Sequence, residues 1–320
     1  MTAALPTGLT LQDASALTRR ITRLSVAVAL VLTAVKAVAW IASGSIAMLA
    51  SLADSGLDVL AAGATFFAVR YAASPPDHEH RYGHGKAEAF ASLTQAGLVF
   101  ASAALVAEQA ILHLMAPHPL ADEGWGLLVM ALSIGLTAAL VSAQSWTLRR
   151  TRSVAVEGDR LHYIADLASN LIAFAGIGLA ALLRRGEPDA IAGLAVAGWL
   201  VWGAIGVFRR AAFELMDHEL SDEARHRIVA LMTEDGRVGD VHQLRTRASG
   251  PYVHIQMHAD LDPSLSLVEA HQVVVAAERR VLGAFPAADI IIHPDPRGAA
   301  EPHGGAFPEV HEAADGRLAR

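Results

Sequence analysis

Residues 51–69, SLADSGLDVLAAGATFFAV, set two carboxylates, Asp54 and Asp58, four positions apart inside a stretch apolar enough to cross a membrane. A second stretch, 161–180, LHYIADLASNLIAFAGIGLA, repeats that spacing with His162 and Asp166. On insertion scales a carboxylate at the centre of such a helix costs roughly 2.5–3.5 kcal/mol, so three of them with an imidazole must recover that cost by pairing or by binding something. Residues at i and i+4 leave one helix face about 6 Å apart along the axis, so two such pairs on facing helices can close four ligands around one ion. Three oxygens and one nitrogen suit a tetrahedral divalent transition metal, zinc first, with iron(II), cadmium and cobalt as neighbours. The plainer alternative is that the acids pair with Lys36 or backbone groups for packing alone, and it leaves three acids against one lysine.

The composition agrees with a membrane protein: 53% hydrophobic and 18% charged residues, with a mean hydropathy of +0.37. Six segments can span a hydrocarbon core of about 30 Å, drawn at 24–48, 52–73, 88–115, 125–148, 161–183 and 189–208. Basic residues cluster before the first segment (Arg19, Arg20, Arg23), after the second (Arg70, Arg81, Lys86), after the fourth (Arg149, Arg150, Arg152, Arg160) and after the sixth (Arg209, Arg210). Against these, only Arg184 and Arg185 lie on the other side, so the positive-inside rule puts both termini in the cytoplasm. No cleavable signal pattern precedes the first span, and residues 1–23 are expected to be a cytoplasmic arm. Cysteine is absent, which removes disulfides and thiolate ligands and leaves histidine and carboxylate for any transition-metal site. A net charge of -7 and no basic aromatic patch argue against nucleic acid.

Beyond residue 210 the pattern becomes that of a small second domain, expected over 211–297. SDEARHRIVALMTED reads as a helix capped by Ser221, and VGDVHQLRTRAS with GPYVHIQMHADLD as two strands joined at Ser249, Gly250 and Pro251. LSLVEAHQVVVAAERRVLGAF has helical apolar spacing, and ADIIIHPDP is a short strand stopped by prolines. The expected fold class is therefore an α-helical membrane protein with six transmembrane helices, followed by a small α+β domain of order α-β-β-α-β, ferredoxin-like. A domain this small commonly needs metal or dimerisation for stability. Residues 298–320, rich in Gly, Pro, Ala and charge, are expected to be a disordered tail.

GSIAMLASLADSGLDVL, PPDHEHRYGHGKAEAFASL, EGDRLHYIADLASN, VHQLRTRASGPYVHIQMH and IIIHPDP, in this order over about 24–296, resemble the cation diffusion facilitator family, specifically its bacterial zinc and iron efflux branch. The resemblance implies a transport site at Asp54, Asp58, His162 and Asp166, in agreement with the ligand argument. It further implies a loop metal site at Asp77, His80 and His84, beside which His78 and Glu79 are additional possible ligands. A cytoplasmic-domain site shared by two protomers is implied at His242, His258, His271, His293 and Asp295, together with an interdomain ion pair between Lys86 and Asp217. The implied partners are divalent metal ions, protons, membrane lipid and a second copy of the chain, with zinc as substrate and as a structural or regulatory ion, and no organic cofactor. The implied location is the bacterial inner membrane.

Metal ligation needs ionised Asp and neutral His, so protons and metal compete for the quartet, which is the basis of an antiport. Leu57 and Leu161 are positioned to exclude water around it. A cation channel lined by Asp is the alternative reading, though a channel needs no histidine completing a closed set. An intramembrane metallohydrolase is less well supported, because no HExxH motif occurs and the nearest fragments are HEHRY and HEAAD.

Overall fold

Residues 152–153, RS, separate two long helices without a glycine or a proline, because Arg152 takes a left-handed backbone conformation (φ 55°) that ends one helix and starts the next. The computed structural model describes residues 11–43, 46–115, 124–183, 187–298, 311–312 and 318–319. Two compact units result, one over Ala14–Ala212 and the other running from Phe213 and taking in residues 11–13.

The first unit holds six helices: α1 (Leu11–Ser43), α2 (Ile46–Ala72), α3 (Ala87–Met115), α4 (Gly124–Thr151), α5 (Val154–Leu183) and α6 (Glu187–Leu215). Helix α1 starts well before the expected first span, so residues 11–23 of the supposed arm are helical. No glycine or proline interrupts 11–43, and Ala14, Thr18, Ile21, Thr22 and Ser25 recur at helical spacing as buried positions. Five helices contain stretches long and apolar enough to cross a membrane, within α1, α2, α3, α4 and α6. The expected sixth span, 161–183, falls in α5, much of whose second half lies outside the residues with described side chains; its first half carries Glu157, Asp159, Arg160 and Asp166. Helix α5 packs against α2, α3 and α4. That position explains its charge, because polar groups inside a bundle face protein rather than lipid.

The α3–α5 contact is close. A Cβ built on Gly158 would lie 3.0 Å from Ser92 Oγ and 3.1 Å from Ser92 Cα, so glycine is what lets the two backbones approach. At the same end of the bundle Ser153 hydrogen-bonds the Glu88 carboxylate, tying the start of α5 to the start of α3. Arg210 Nη2 and Glu157 Oε1, 2.6 Å apart, join α6 to α5.

The second unit has the expected order: α7 (Asp222–Thr233), β1 (Val241–Ser249), β2 (Tyr252–Leu261), α8 (Leu267–Ala284) and β3 (Ala288–Pro296). β1 and β2 run antiparallel through the predicted turn, where Gly250 takes φ 55°, and β3 adds parallel to β2 after the α8 crossover, giving sheet order β1-β2-β3. Alternation along β2 sends Val253, Ile255, Met257, Ala259 and Leu261 into a core shared with Ile228 and Met232 of α7 and Val273, Ala277 and Val281 of α8. His254, Gln256, His258 and Asp260 therefore occupy the opposite face of the sheet. In the tail expected to be disordered, the described residues form a short antiparallel ladder, β4 (His311–Glu312) with β5 (Leu318–Ala319). The remainder of the tail lies outside the described residues.

Both helix starts of this unit are capped by serine. Ser221 Oγ accepts from Ala224 N, and Ser266 forms a full capping box with Glu269. Ser266→Ala should cost about 1 kcal/mol of local stability and so speed amide exchange in the first turns of α8 about fivefold. Hydrogen exchange on the full-length protein reads this directly, and an unchanged α8 protection pattern contradicts it.

Candidate metal sites

Three of the four expected intramembrane ligands meet. His162 Nε2 lies 3.0 Å from Asp58 Oδ1 and 3.8 Å from Asp166 Oδ2, bringing α2 and α5 together at one point. One ligand atom from each of these residues falls within 4.8 Å of the others. Ligand atoms about 2.0–2.1 Å from a tetrahedral zinc sit about 3.3 Å apart, so the separations match a shared ion with little movement. Asp54, the fourth expected ligand, is exposed one turn along α2 from Asp58 and lies outside this group of three. Lys36 Nζ bonds Ser55 Oγ at 2.6 Å and Ser51 O at 3.3 Å, so it is engaged by α2 hydroxyl and carbonyl groups and forms no ion pair with the acids among the described residues. Leu161 packs against Gly203 of α6, with Cδ1 3.0 Å from where a Cβ would stand. Leu57, also expected to exclude water, faces outward at 59% exposure.

The loop ligands also gather. Asp77 Oδ1 is 3.3 Å from His80 Nδ1, and its Oδ2 is 3.2 Å from His84 Nε2. The backbone N–H of His80 donates to Asp77 Oδ1 and is the main reason the carboxyl is held below the usual range, with the N–H of Glu79 adding to it. His84 is buried, and neither ring nitrogen has a hydrogen-bond partner, although one faces Asp77. That arrangement leaves a lone pair available to an ion. His78 is directed to Arg81, 3.5 Å away, and neither it nor Glu79 joins the cluster.

The third site is built by strand register. His242 pairs with His258 across β1–β2, and His258 pairs with His293 across β2–β3. A bulge after His242, with Gln243 at φ 50°, re-aims the strand there. Asp295 is the hub: its Oδ2 is 2.8 Å from His258 Nδ1 and 3.3 Å from His242 Nε2, and its Oδ1 is 3.3 Å from His293 Nε2. Three imidazoles around one buried carboxylate fit a zinc-type ion. Asp260, directly beside Asp295 in the register and 3.4 Å from His242 Nε2, belongs to this group and has no motif of its own in the sequence, although its parity with His258 on β2 is legible there. His271 is not brought to the cluster. It is exposed on α8, whose inner face packs on the other side of the sheet. The expected Lys86–Asp217 pair spans the two units; within its own unit Asp217 Oδ2 lies 3.3 Å from Arg247 Nη1.

A helical bundle with a carboxylate–imidazole site at its centre, joined to a small domain with its own histidine cluster, defines a membrane cation carrier. Comparison with known proteins agrees. Residues 22–216 match the cation efflux transmembrane domain and residues 220–297 the cation efflux protein cytoplasmic domain. The cation-efflux pump FieF of Shewanella oneidensis is 42% identical over 277 residues, covering 86% of this chain and 92% of that protein. FieF of Shigella flexneri is 38% identical over 270 residues, covering 84% and 90%. A solved structure of CzrB in a zinc form, 34% identical, covers 27% of this chain and 100% of its own at a TM-score of 0.25, a likeness carried no further. The chain belongs to the cation diffusion facilitator family. It is a multi-pass membrane cation efflux transporter, not an enzyme.

Asp295 touches three histidines, so Asp295→Asn should weaken zinc binding at the sheet-face site at least about tenfold, and Asp260→Asn by less. Chelator competition on the full-length protein separates the two; equal or absent effects contradict the hub assignment.

Proposed function

We propose that the chain exports divalent transition-metal ions, zinc foremost with cadmium and iron(II) beside it, in exchange for protons, as a homodimer in the bacterial inner membrane with both termini cytoplasmic. The observation that carries this reading is the contact of His162 with Asp58 and Asp166 across α2 and α5. In hydrocarbon such a set is stable only when its charge is matched, and a divalent cation or protons on the same side chains are the two ways to match it. Loading by one excludes the other. Alternation between two packings of the bundle, each open at a different end, then exchanges metal for protons.

Asp54 completes the set when α2 moves so that this carboxylate turns inward, giving the fourth oxygen of a tetrahedral site. The distribution of Lys and Arg supports a cytoplasmic face at the end of the bundle that carries the 73–86 connection. Asp77, His80 and His84 at that end are suited to collecting ions before they enter. In the second unit, His242, His258, His293 and Asp295 bind regulatory zinc with His271 supplied by the second copy, which is consistent with its position away from its own chain's cluster. The Lys86–Asp217 pair is the proposed link by which that binding biases the helices.

Zinc uptake into proteoliposomes under an imposed pH gradient tests the reading. Saturable, gradient-driven flux that Asp58→Ala abolishes, with His162→Asp shifting preference among metals, is the expected result. Flux that ignores the gradient and survives Asp58→Ala overturns it in favour of a channel. Leu161→Ala, which opens space against Gly203 beside the site, should raise proton leak without metal; an unchanged leak removes Leu161 as a barrier to water.

A further inference from the structure

Three residues along α5 from His162, on the side away from Asp166, a second polar cluster is enclosed that metal binding leaves unused. Asp159 is 1% exposed. Its Oδ2 accepts from Gln144 Nε2 of α4 at 2.8 Å, and its Oδ1 from Gln95 Nε2 of α3 at 3.4 Å. The same amides continue outward. Gln144 Nε2 donates to Ser25 Oγ of α1 at 3.2 Å, and Gln95 Nε2 donates to Thr65 Oγ1 and Ala61 O of α2 at 2.9 and 3.2 Å. Tyr163, beside His162, donates its hydroxyl to Ser25 O at 3.1 Å. Five helices thus meet around one carboxylate, and Ser25, Thr65, Gln95, Gln144 and Tyr163 are all buried.

The position of this layer gives it meaning. Side-chain exposure in the metal cluster falls from 21% at Asp166 and 13% at Asp58 to 7% at His162, and beyond it Asp159 is closed off entirely. Helix directions place Asp54 and Asp166 toward the bundle end where α2 begins, and Asp159, Gln95, Gln144 and Thr65 toward the end that holds 73–86. Exposure within the cluster therefore rises toward the first end, and the buried Asp159 layer lies between the cluster and the second. Close packing at Gly158 and the Ser153–Glu88 bond tighten the same end.

We propose that Asp159 is a positioning residue for transport, the keeper of a latch in which the Gln95 and Gln144 amides hold α3 and α4 against α5 and close the 73–86 end of the metal path, a latch the cycle must release to load ions from that end. Its role in transport rests on the export reading. The chemistry suits a reversible closure. Amide donors on a carboxyl acceptor form bonds that are stronger in a dry layer and exchange for water once the layer opens. The Oε1 atoms of both glutamines are buried with no hydrogen-bond partner among the described residues, so the closed layer is under-bonded and gains partners on hydration.

The chain has no cysteine, so Ser92→Cys, buried on α3 between Gln95 and the 73–86 end, and Ser133→Cys, buried on α4 toward the other end, each provide a single thiol. In sealed vesicles with the 73–86 face outward, Asp159→Asn should speed maleimide labelling at Ser92→Cys by about fivefold or more while leaving Ser133→Cys unchanged, and Gln144→Met should reproduce this. In zinc uptake the same variants should lower KM and Vmax together, because the state that loads from this end becomes more populated and the return to the latched state less favourable. Equal acceleration at both thiols marks general loosening of the fold and overturns the latch. Unchanged labelling with KM intact and only Vmax reduced overturns it as well. Labelling needs no transport, so the expected labelling in a protein that carries no zinc faults the export reading and not the closure.

Discussion

Titratable side chains buried where two bundle helices cross impose the constraint from which most of this architecture follows. Asp58, His162 and Asp166 meet at the crossing of α2 and α5, and such a polar set calls for α5 to be surrounded by protein. It packs on α2, α3 and α4. Small residues at its contacts, Gly158 against Ser92 and Gly203 against Leu161, allow this burial without opening gaps around the polar atoms.

The soluble unit solves a related problem by different means. A three-stranded sheet has two faces, and α7 and α8 cover only one. The other face is spent on His242, His258, His293, Asp260 and Asp295, aligned by register across all three strands. Asp295 is buried among these side chains, and a metal ion held there would add to the folding free energy of a domain with a limited core.

Much of this was legible from residue spacing. The i, i+4 pairs picked out Asp58, His162 and Asp166, which meet across α2 and α5, and the α-β-β-α-β order followed from turn residues and periodicity in the second unit. Asp77, His80 and His84 lie close in the chain, so their clustering is a local matter. What spacing could not show was distance between elements. Asp260 looks like any strand-end acid until β2 and β3 are in register. Asp159 looks like one more charge near a helix start, and its glutamine partners sit 64 and 15 positions away in the chain. His271 has the right residue type and an order that fits, yet α8 carries it to the other side of the sheet from the histidines it was grouped with.

The sequence by itself determined the number of long helices, the ligand types and the separation into a membrane bundle and a small α/β unit, because hydrophobic period, residue chemistry and turn signals are properties of contiguous chain. The tertiary structure alone decided that Asp54 lies outside the group formed by Asp58, His162 and Asp166, that residues 11–23 are helical, and that a closed polar layer lies beside that group. Rotation of a helix about its axis and the exposure of one turn relative to the next depend on packing against neighbours distant in sequence, which no local pattern encodes.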